Sequence, residues 1–270
     1  MPDVIAHDDT LAGEPVFWLE ADGEGDVPVL FVHGVPTSAD DWRPFLERTG
    51  GLAPDLPGFG RSGKRGDGDY SMHRYGPWLE TFLDARGVDR IRLVVHDWGG
   101  VGLLLAQAAP ERIERLVVIN SVPFLPGYEW HRIARAWRTR GLGELLMGSV
   151  NRFTLRWLTR EANVTPGPLP DEWRARVLEQ FDLGTQRAIL RLYRSADPEA
   201  LAAAGKRLGD ITCPALVVWG GQDPYLPPRF GAGYAAALGD AELLAVDDAG
   251  HWPWLDRPDL VETIAAFLGG

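Results

Sequence analysis

Four short runs of branched and aliphatic residues punctuate the chain: Val29-Leu30-Phe31-Val32, Ile91-Arg92-Leu93-Val94-Val95, Leu116-Val117-Val118-Ile119 and Ala215-Leu216-Val217-Val218-Trp219. Nearly every position in them is apolar, which is the pattern of strands covered on both faces. Helically spaced stretches lie between the runs. The order therefore predicts an α/β protein with a mostly parallel central sheet and helices on both faces. Helices are expected over 71–86, with Ser71 as cap and Gly87 as stop, over 98–109 before Pro110, and from about 258 to 268 with Pro258 in the first turn.

Between Ser121 and Thr212 the character changes. Trp, Arg and Leu dominate, the spacing is helical, and no comparable strand run occurs. The stretch Thr165-Pro166-Gly167-Pro168-Leu169-Pro170 is expected to break this region in two. The reading is a core domain of residues 1–121 and 213–270 with a helical cap, 122–212, inserted into it.

Composition narrows the class. The 270 residues are 45% hydrophobic and 24% charged, ordinary for a packed globular protein. A formal charge of -11 argues against a nucleic-acid partner, because neutralising phosphates requires clustered positive charge. Cys213 is the single cysteine, so neither an intrachain disulfide nor a cysteine-cluster metal site can form. The acidic start does not read as a secretory signal and no run is apolar enough to span a membrane. A cytoplasmic enzyme with no membrane partner, no metal and no cofactor is expected. Of the eleven tryptophans, Trp130, Trp137, Trp157 and Trp173 fall in the proposed cap, where core packing or a hydrophobic lid is expected of them.

Polar residues with chemical potential stand where the apolar runs end, and in parallel sheets ligands gather at the carboxyl ends of strands. His96-Asp97-Trp98-Gly99-Gly100 is a strand entering a tight turn and a helix, the setting of a nucleophile elbow, with Asp97 in the serine's place and Val95 where the motif has its first glycine. A carboxylate there needs no base to be ionised, and amide donors at a helix start favour the anion further. It can attack a saturated electrophilic carbon and form an ester, whose hydrolysis requires a base to activate water. His251, before the last helix, supplies that base. Asp223 lies between the two in sequence and after a strand, suited to orient the imidazole. Asn120 holds another strand end but lacks a charge, and Asp247 and Asp248 read as turn residues. Val35, in His33-Gly34-Val35-Pro36, and Trp98 are candidate amide donors of an oxyanion hole. The glycine-rich Asp55 to Ser62 stretch lacks the P-loop lysine and reads as a structural loop.

Taken with their order, these motifs resemble the epoxide hydrolase and haloalkane dehalogenase branch of the α/β-hydrolase superfamily, over nearly the whole chain, and epoxide hydrolases most. The resemblance implies the α/β-hydrolase fold and a small apolar or aromatic epoxide, or a haloalkane, as substrate. Epoxide hydrolases protonate the opening ring with cap tyrosines. Tyr193, in Leu190-Arg191-Leu192-Tyr193-Arg194, matches one of them, and Tyr128 or His131 is the candidate for the second. Many haloalkane dehalogenases place an asparagine where this chain has Val35, while others use a second cap tryptophan. Trp98 and Trp137 are therefore candidate substrate-binding residues. Arginines that hold a haloacid carboxylate after the nucleophile are missing from Trp98-Gly99-Gly100-Val101.

Overall fold

The computed structural model describes residues 2–164 and 169–270. Its eight strands are β1 (Ile5–Leu11), β2 (Glu14–Ala21), β3 (Val29–Val32), β4 (Gly51–Pro54), β5 (Ile91–Asp97), β6 (Ile113–Ser121), β7 (Pro214–Gly220) and β8 (Asp240–Val246). They form one sheet in the order β1-β2-β4-β3-β5-β6-β7-β8. The β1–β2 and β2–β4 pairs are antiparallel and the rest are parallel.

The four apolar runs are β3, β5, β6 and β7, the centre of the sheet. Alternate side chains serve two cores. Leu30, Val32, Leu93, Val95, Leu116 and Val118 join one apolar cluster, while Phe31, Val94, Val117, Ile119 and Val218 join the other. Period-two alternation between two buried faces is why these strands read as continuous hydrophobic sequence. The outer strands gave weaker signals. In β1 all but Leu11 are exposed or half-buried, and β8 has Val246 as its one buried residue. One-sided edge strands need less apolar residue content.

Helix Met72–Asp84 matches the expected one, but Ser71 makes no side-chain cap bond. Its backbone N–H is instead taken by Asp69 Oδ1 at 2.9 Å, an Asx turn leading into the helix. Gly87, at φ +65°, ends the turn that follows. The stretch after β5 begins as a tight 3₁₀ turn, Trp98–Val101, and only then becomes the helix Gly102–Ala108. The terminal helix is Asp259–Gly269, entered from Pro258.

Between β6 and β7 the described residues form helices and no strand: Arg132–Arg138, Leu142–Gly148, Arg152–Leu158, Asp171–Gln180, Leu183–Arg194 and Pro198–Ala204. Most of the expected Pro-Gly break, 165–168, lies outside the described residues; Leu169 and Pro170 lead into the fourth of these helices. Trp130 and Trp173 are buried as expected of packing residues, whereas Trp157 is 61% exposed. No described helix is long and apolar enough to cross a membrane.

Candidate active site

Asp97 closes β5 with φ 50° and ψ −124°, a conformation that a non-glycine residue adopts only when its surroundings enforce it. The enforcement is visible in the backbone around it. A Cβ on Gly34 would lie 2.5 Å from the Asp97 Cβ, and one on Gly99 would lie 2.0 Å from the Val32 carbonyl oxygen. Glycine at 34 and 99 thus lets the β3 loop and the helix entry close around the carboxylate. Val95, in the place of the motif's first glycine, is fully buried in the core.

The three residues read from the sequence as nucleophile, base and acid come together. His251 Nδ1 and Asp223 Oδ2 are 2.7 Å apart. A carboxylate only accepts, so Nδ1 donates and Nε2 is left facing Asp97, 3.7 Å from Oδ2. Asp223 is itself fixed by four donors. Its Oδ1 accepts the Tyr225 and Leu226 amides at 2.7 and 3.0 Å, and its Oδ2 also accepts Asn120 Nδ2 at 2.6 Å. Asn120, at φ +32°, accepts the Gly220 amide at 2.8 Å through its own carbonyl. The residue that could not be the acid therefore orients the acid. The Val35 amide donates to Asp97 Oδ1 at 2.8 Å.

Burial decides the electrostatics of Asp97. Desolvation pushes its pKa up and outweighs the opposing pull of His251 and the Val35 and Trp98 amides. The amide donors alone predicted a carboxylate held more firmly ionised, and the net direction is the reverse. For His251, burial disfavours the charge, but the neighbouring Asp223, then Asp97 and Asp41, outweigh it, and the pKa is raised.

A cavity opens on this group, lined by Val35, Asp97, His251, Tyr128, Trp130, His131, Trp137, Tyr193, Tyr225, Phe181 and Trp252, with aliphatic side chains from the helices above. Tyr193, 4% exposed, sits edge-on to Trp98, 5.1 Å between ring centroids. The Tyr128 hydroxyl is buried without a hydrogen-bond partner. Burial pushes both phenols up, with the nearby Asp97 charge adding to it, so both stay protonated at neutral pH. His131 caps the helix Arg132–Arg138 by accepting the Ala134 amide through Nδ1 at 3.4 Å. Burial lowers its pKa to about 4, which leaves a neutral ring whose one hydrogen, on Nε2, can be offered as a hydrogen-bond donor but which holds no extra proton to give. Trp137 lines the cavity. Trp98 lies behind its wall, stacked on Trp130 at 5.6 Å, with its indole N–H buried and unpartnered.

Two neighbours carried no sequence signal. Tyr225 stands edge-on to His251 at 5.1 Å and donates to the Leu158 carbonyl at 3.3 Å. Asp41 is buried behind the cavity wall, accepting the indole N–H groups of Trp173 at 3.0 Å and Trp252 at 3.3 Å. Asp247 and Asp248 lie in the turn after β8, away from this group, and the Asp55 loop is tied by Arg61 ion-pairing to Asp55 at 2.9 Å. Among the described residues no cluster of His, Cys, Asp or Glu is placed to hold a metal ion.

A strand-turn-helix elbow with an acid and a histidine on neighbouring loops defines a hydrolase of the α/β class. Residues 27–258 match the family described as alpha/beta hydrolase fold, and the chain belongs to that family. It is 32% identical to a cis-3-alkyl-4-alkyloxetan-2-one decarboxylase of Xanthomonas campestris, over 92% of this chain and 90% of the relative. It is 30% identical to a haloalkane dehalogenase of Mesorhizobium japonicum, over 93% and 87%. Among solved structures, haloalkane dehalogenase DbeA from Bradyrhizobium elkani superposes with a TM-score of 0.84 at 27% identity, covering 99% of this chain and 98% of that one. The epoxide hydrolase CorEH shares the fold with a TM-score of 0.82 at 22% identity, covering 98% of each. These relatives support the epoxide hydrolase and dehalogenase branch read from the sequence, and an enzyme.

Proposed function

We propose that the protein is a cofactor-independent epoxide hydrolase that opens an apolar or aromatic epoxide to a vicinal diol. The observation that carries the reading is the Tyr128 hydroxyl, buried and unpartnered in the cavity that Asp97 and Tyr193 also line. A buried hydroxyl without a partner costs about 1–3 kcal/mol, a cost that a substrate oxygen at that point relieves. Helices of residues 122–212 act as a cap that brings both tyrosines over the core's nucleophile.

In this mechanism Asp97 Oδ2 attacks one ring carbon, and the C–O bond breaks as Tyr193 and Tyr128 hydrogen-bond the leaving oxygen, one of them delivering a proton. His131 assists as a neutral donor. The product is a hydroxyalkyl ester of Asp97. His251 Nε2 then takes a proton from water as its oxygen attacks the Asp97 carboxyl carbon. The Val35 amide, with that of Trp98, stabilises the oxyanion, and Asp223 stabilises the imidazolium. Collapse expels the diol as its alkoxide, and the two protons brought by water, one held on His251 and one on the new Asp97 hydroxyl, pass to the alkoxide and the tyrosinate, restoring the neutral imidazole, the phenol and the carboxylate. Trp137 lines the substrate end of the site, and Trp98 backs its wall against Trp130 and Tyr193.

The second reading, a haloalkane dehalogenase with the same two steps, is favoured by the Trp98 indole N–H, which is buried next to the Tyr193 phenol with no hydrogen bond of normal geometry and is a donor that suits a halide. Val35 offers no side-chain donor to complete such a site, and the Trp130 indole N–H is already given to the Ala196 carbonyl at 2.8 Å. The test is a parallel assay of wild type and Asp97→Ala on styrene oxide, cyclohexene oxide, several bromoalkanes and a cis-3,4-dialkyl oxetan-2-one, following diol, halide and alkene. Diol lost in the variant is expected; halide or alkene without diol moves the assignment to a dehalogenase or decarboxylase.

A further inference from the structure

We propose that the outward face of the helix Arg152–Leu158 docks on an anionic lipid surface, from which apolar substrate enters the cavity. At about 100° per residue, Arg152, Phe153, Arg156 and Trp157 fall within an arc of roughly 140°, Arg160 follows two residues past the helix end, and Leu155 is turned inward and buried. Phe153 is 67% exposed and Trp157 61%, and on the preceding helix Leu145 is 71% exposed. Single exposed apolar residues are common, but two large aromatics one helical turn apart amid arginines form an interfacial pattern. The rings enter the acyl boundary and the arginines reach the headgroups.

The charge distribution selects the partner. Residues 131–160 hold seven arginines and one acidic residue, Glu144, in a chain whose net charge is -11. Glu144 is committed to Arg194 at 2.7 Å. Among the described residues Arg132, Arg135, Arg140, Arg152, Arg156 and Arg160 form no ion pair. Two carboxylates stand at the rim, Glu161 beside Trp157 and Asp171, which pairs with Arg174, beside Arg152 and Arg156; the face stays net positive, and screening over about 8 Å at physiological salt separates it from more distant acidic residues. An acidic lipid surface complements both its charge and its aromatics. The contact is peripheral and calls for no spanning segment, but it departs from the expectation of no membrane partner.

The face also adjoins the cavity. A surface depression is lined by Arg132, Ile133, Trp157, Leu158, Arg160 and Glu161, and Ile133 and Leu158 line the Asp97 cavity as well. Two apolar side chains thus separate the docking face from the proposed active site. Docking itself is independent of the reaction catalysed; delivery of substrate past Ile133 and Leu158 rests on the apolar-epoxide reading.

The experiment is co-sedimentation with vesicles of phosphatidylcholine, with and without phosphatidylglycerol, for wild type, Phe153→Ser/Trp157→Ser and Arg152→Glu/Arg156→Glu/Arg160→Glu. Wild type is expected to bind the phosphatidylglycerol vesicles and to lose about tenfold in binding as salt rises from about 0.1 to 0.5 M. Each variant should lose at least about tenfold at low salt while its turnover of a soluble substrate stays within about twofold. No binding by wild type, or binding that neither variant weakens, overturns the proposal. A concentration-dependent dimer broken by both variants, without vesicle binding, overturns it in favour of a second copy of this chain. Inactivity of wild type on epoxides refutes the chemical reading and leaves the sedimentation result standing.

Discussion

Asp223→Asn separates the two half-reactions, and its effect can be worked from the contacts of one carboxylate. Oδ1 accepts two backbone amides, and Oδ2 accepts His251 Nδ1–H and the Asn120 amide. A side-chain amide has one accepting and one donating end. If its NH₂ takes the Oδ1 position it opposes two N–H groups. At the Oδ2 position it opposes Asn120 and His251, and the histidine resolves that conflict by moving its proton to Nε2. The ring then cannot accept a proton from water. Loss of the right tautomer costs about 10³- to 10⁴-fold in such triads, or about 4–5.5 kcal/mol of barrier at 1.36 kcal/mol per tenfold. Attack by Asp97 on the epoxide needs no base. It loses only the cationic neighbour that helps keep Asp97 ionised, which we expect to cost no more than about tenfold.

The variant should therefore alkylate and stall. Rapid mixing with excess styrene oxide, acid quench and intact-mass measurement are expected to show close to one substrate adduct per chain, mapped to the peptide containing Asp97, while steady-state diol formation falls by about 10³-fold or more. Wild type under the same conditions should show little adduct. The reasoning is refuted if the variant turns over at the wild-type rate, or if turnover is lost with no adduct although the circular dichroism is unchanged. The second result would mean that Asp223 acts before the ester forms.

Three other outcomes follow from the same geometry. Tyr128→Phe and Tyr193→Phe should each slow epoxide opening by about 10²-fold, measured as single-turnover ester formation, and leave reaction with any bromoalkane that alkylates Asp97 within about threefold, since a halide leaves without a proton; equal losses on both substrates would assign the phenols to packing. Ester hydrolysis should rise with pH along a limb set by deprotonation of His251, because a protonated ring cannot act as base; in the free enzyme burial is outweighed by Asp223, Asp97 and Asp41, which raises the imidazole above the ordinary histidine value of about 6.5. The limb should lie lower for the isolated ester, in which Asp97 carries no charge, and a rate that is flat between about pH 5 and 8 would contradict it. Asp41, pushed up to about 6 by burial, holds its proton more tightly folded than unfolded, so it lowers stability as pH rises from its ordinary range through about 6. Asp41→Asn should thus gain stability on wild type by up to about 3 kcal/mol between about pH 4 and 7, read from urea melts; no pH-dependent difference would refute the assigned proton.

What the sequence could convey depended on how many faces each element buries. The strands β3, β5, β6 and β7 announced themselves because neighbouring side chains feed two separate cores, and the ends of β5 and β7 located Asp97 and Asp223, while His251 was legible only from its place before the last helix. The edge strands β1 and β8, polar on most positions, could not stand out. Ser71 holds the expected N-cap position without a side-chain bond, because the Met72 amide at the helix start is taken by Ser195 Oγ from 123 residues away. Tyr225 and Asp41 escaped notice for another reason. Tyr225 reaches His251 through the turn that its own amide makes with Asp223, and Asp41 meets Trp173 and Trp252 across 132 and 211 residues of chain. Contacts set by tertiary closure leave no local pattern.

The rise in the pKa of Asp97 bears directly on what the site can do. An anion stabilised by many donors would be a poor nucleophile, because alkylation would have to strip those contacts away. Here Oδ1 is tied to the Val35 amide, while Oδ2 lies 3.7 Å from His251 Nε2, beyond hydrogen-bonding contact. One oxygen is thus anchored where an oxyanion will later form, and the other is left underbonded toward the cavity. Desolvation raises the energy of the carboxylate, and attack on carbon discharges that energy into a neutral ester. The same asymmetry favours the second step, since the Val35 amide stays with the oxygen that becomes the carbonyl. Burial, donor placement and the backbone strain at Asp97 therefore all suit the proposed mechanism, in which this carboxylate is esterified and released.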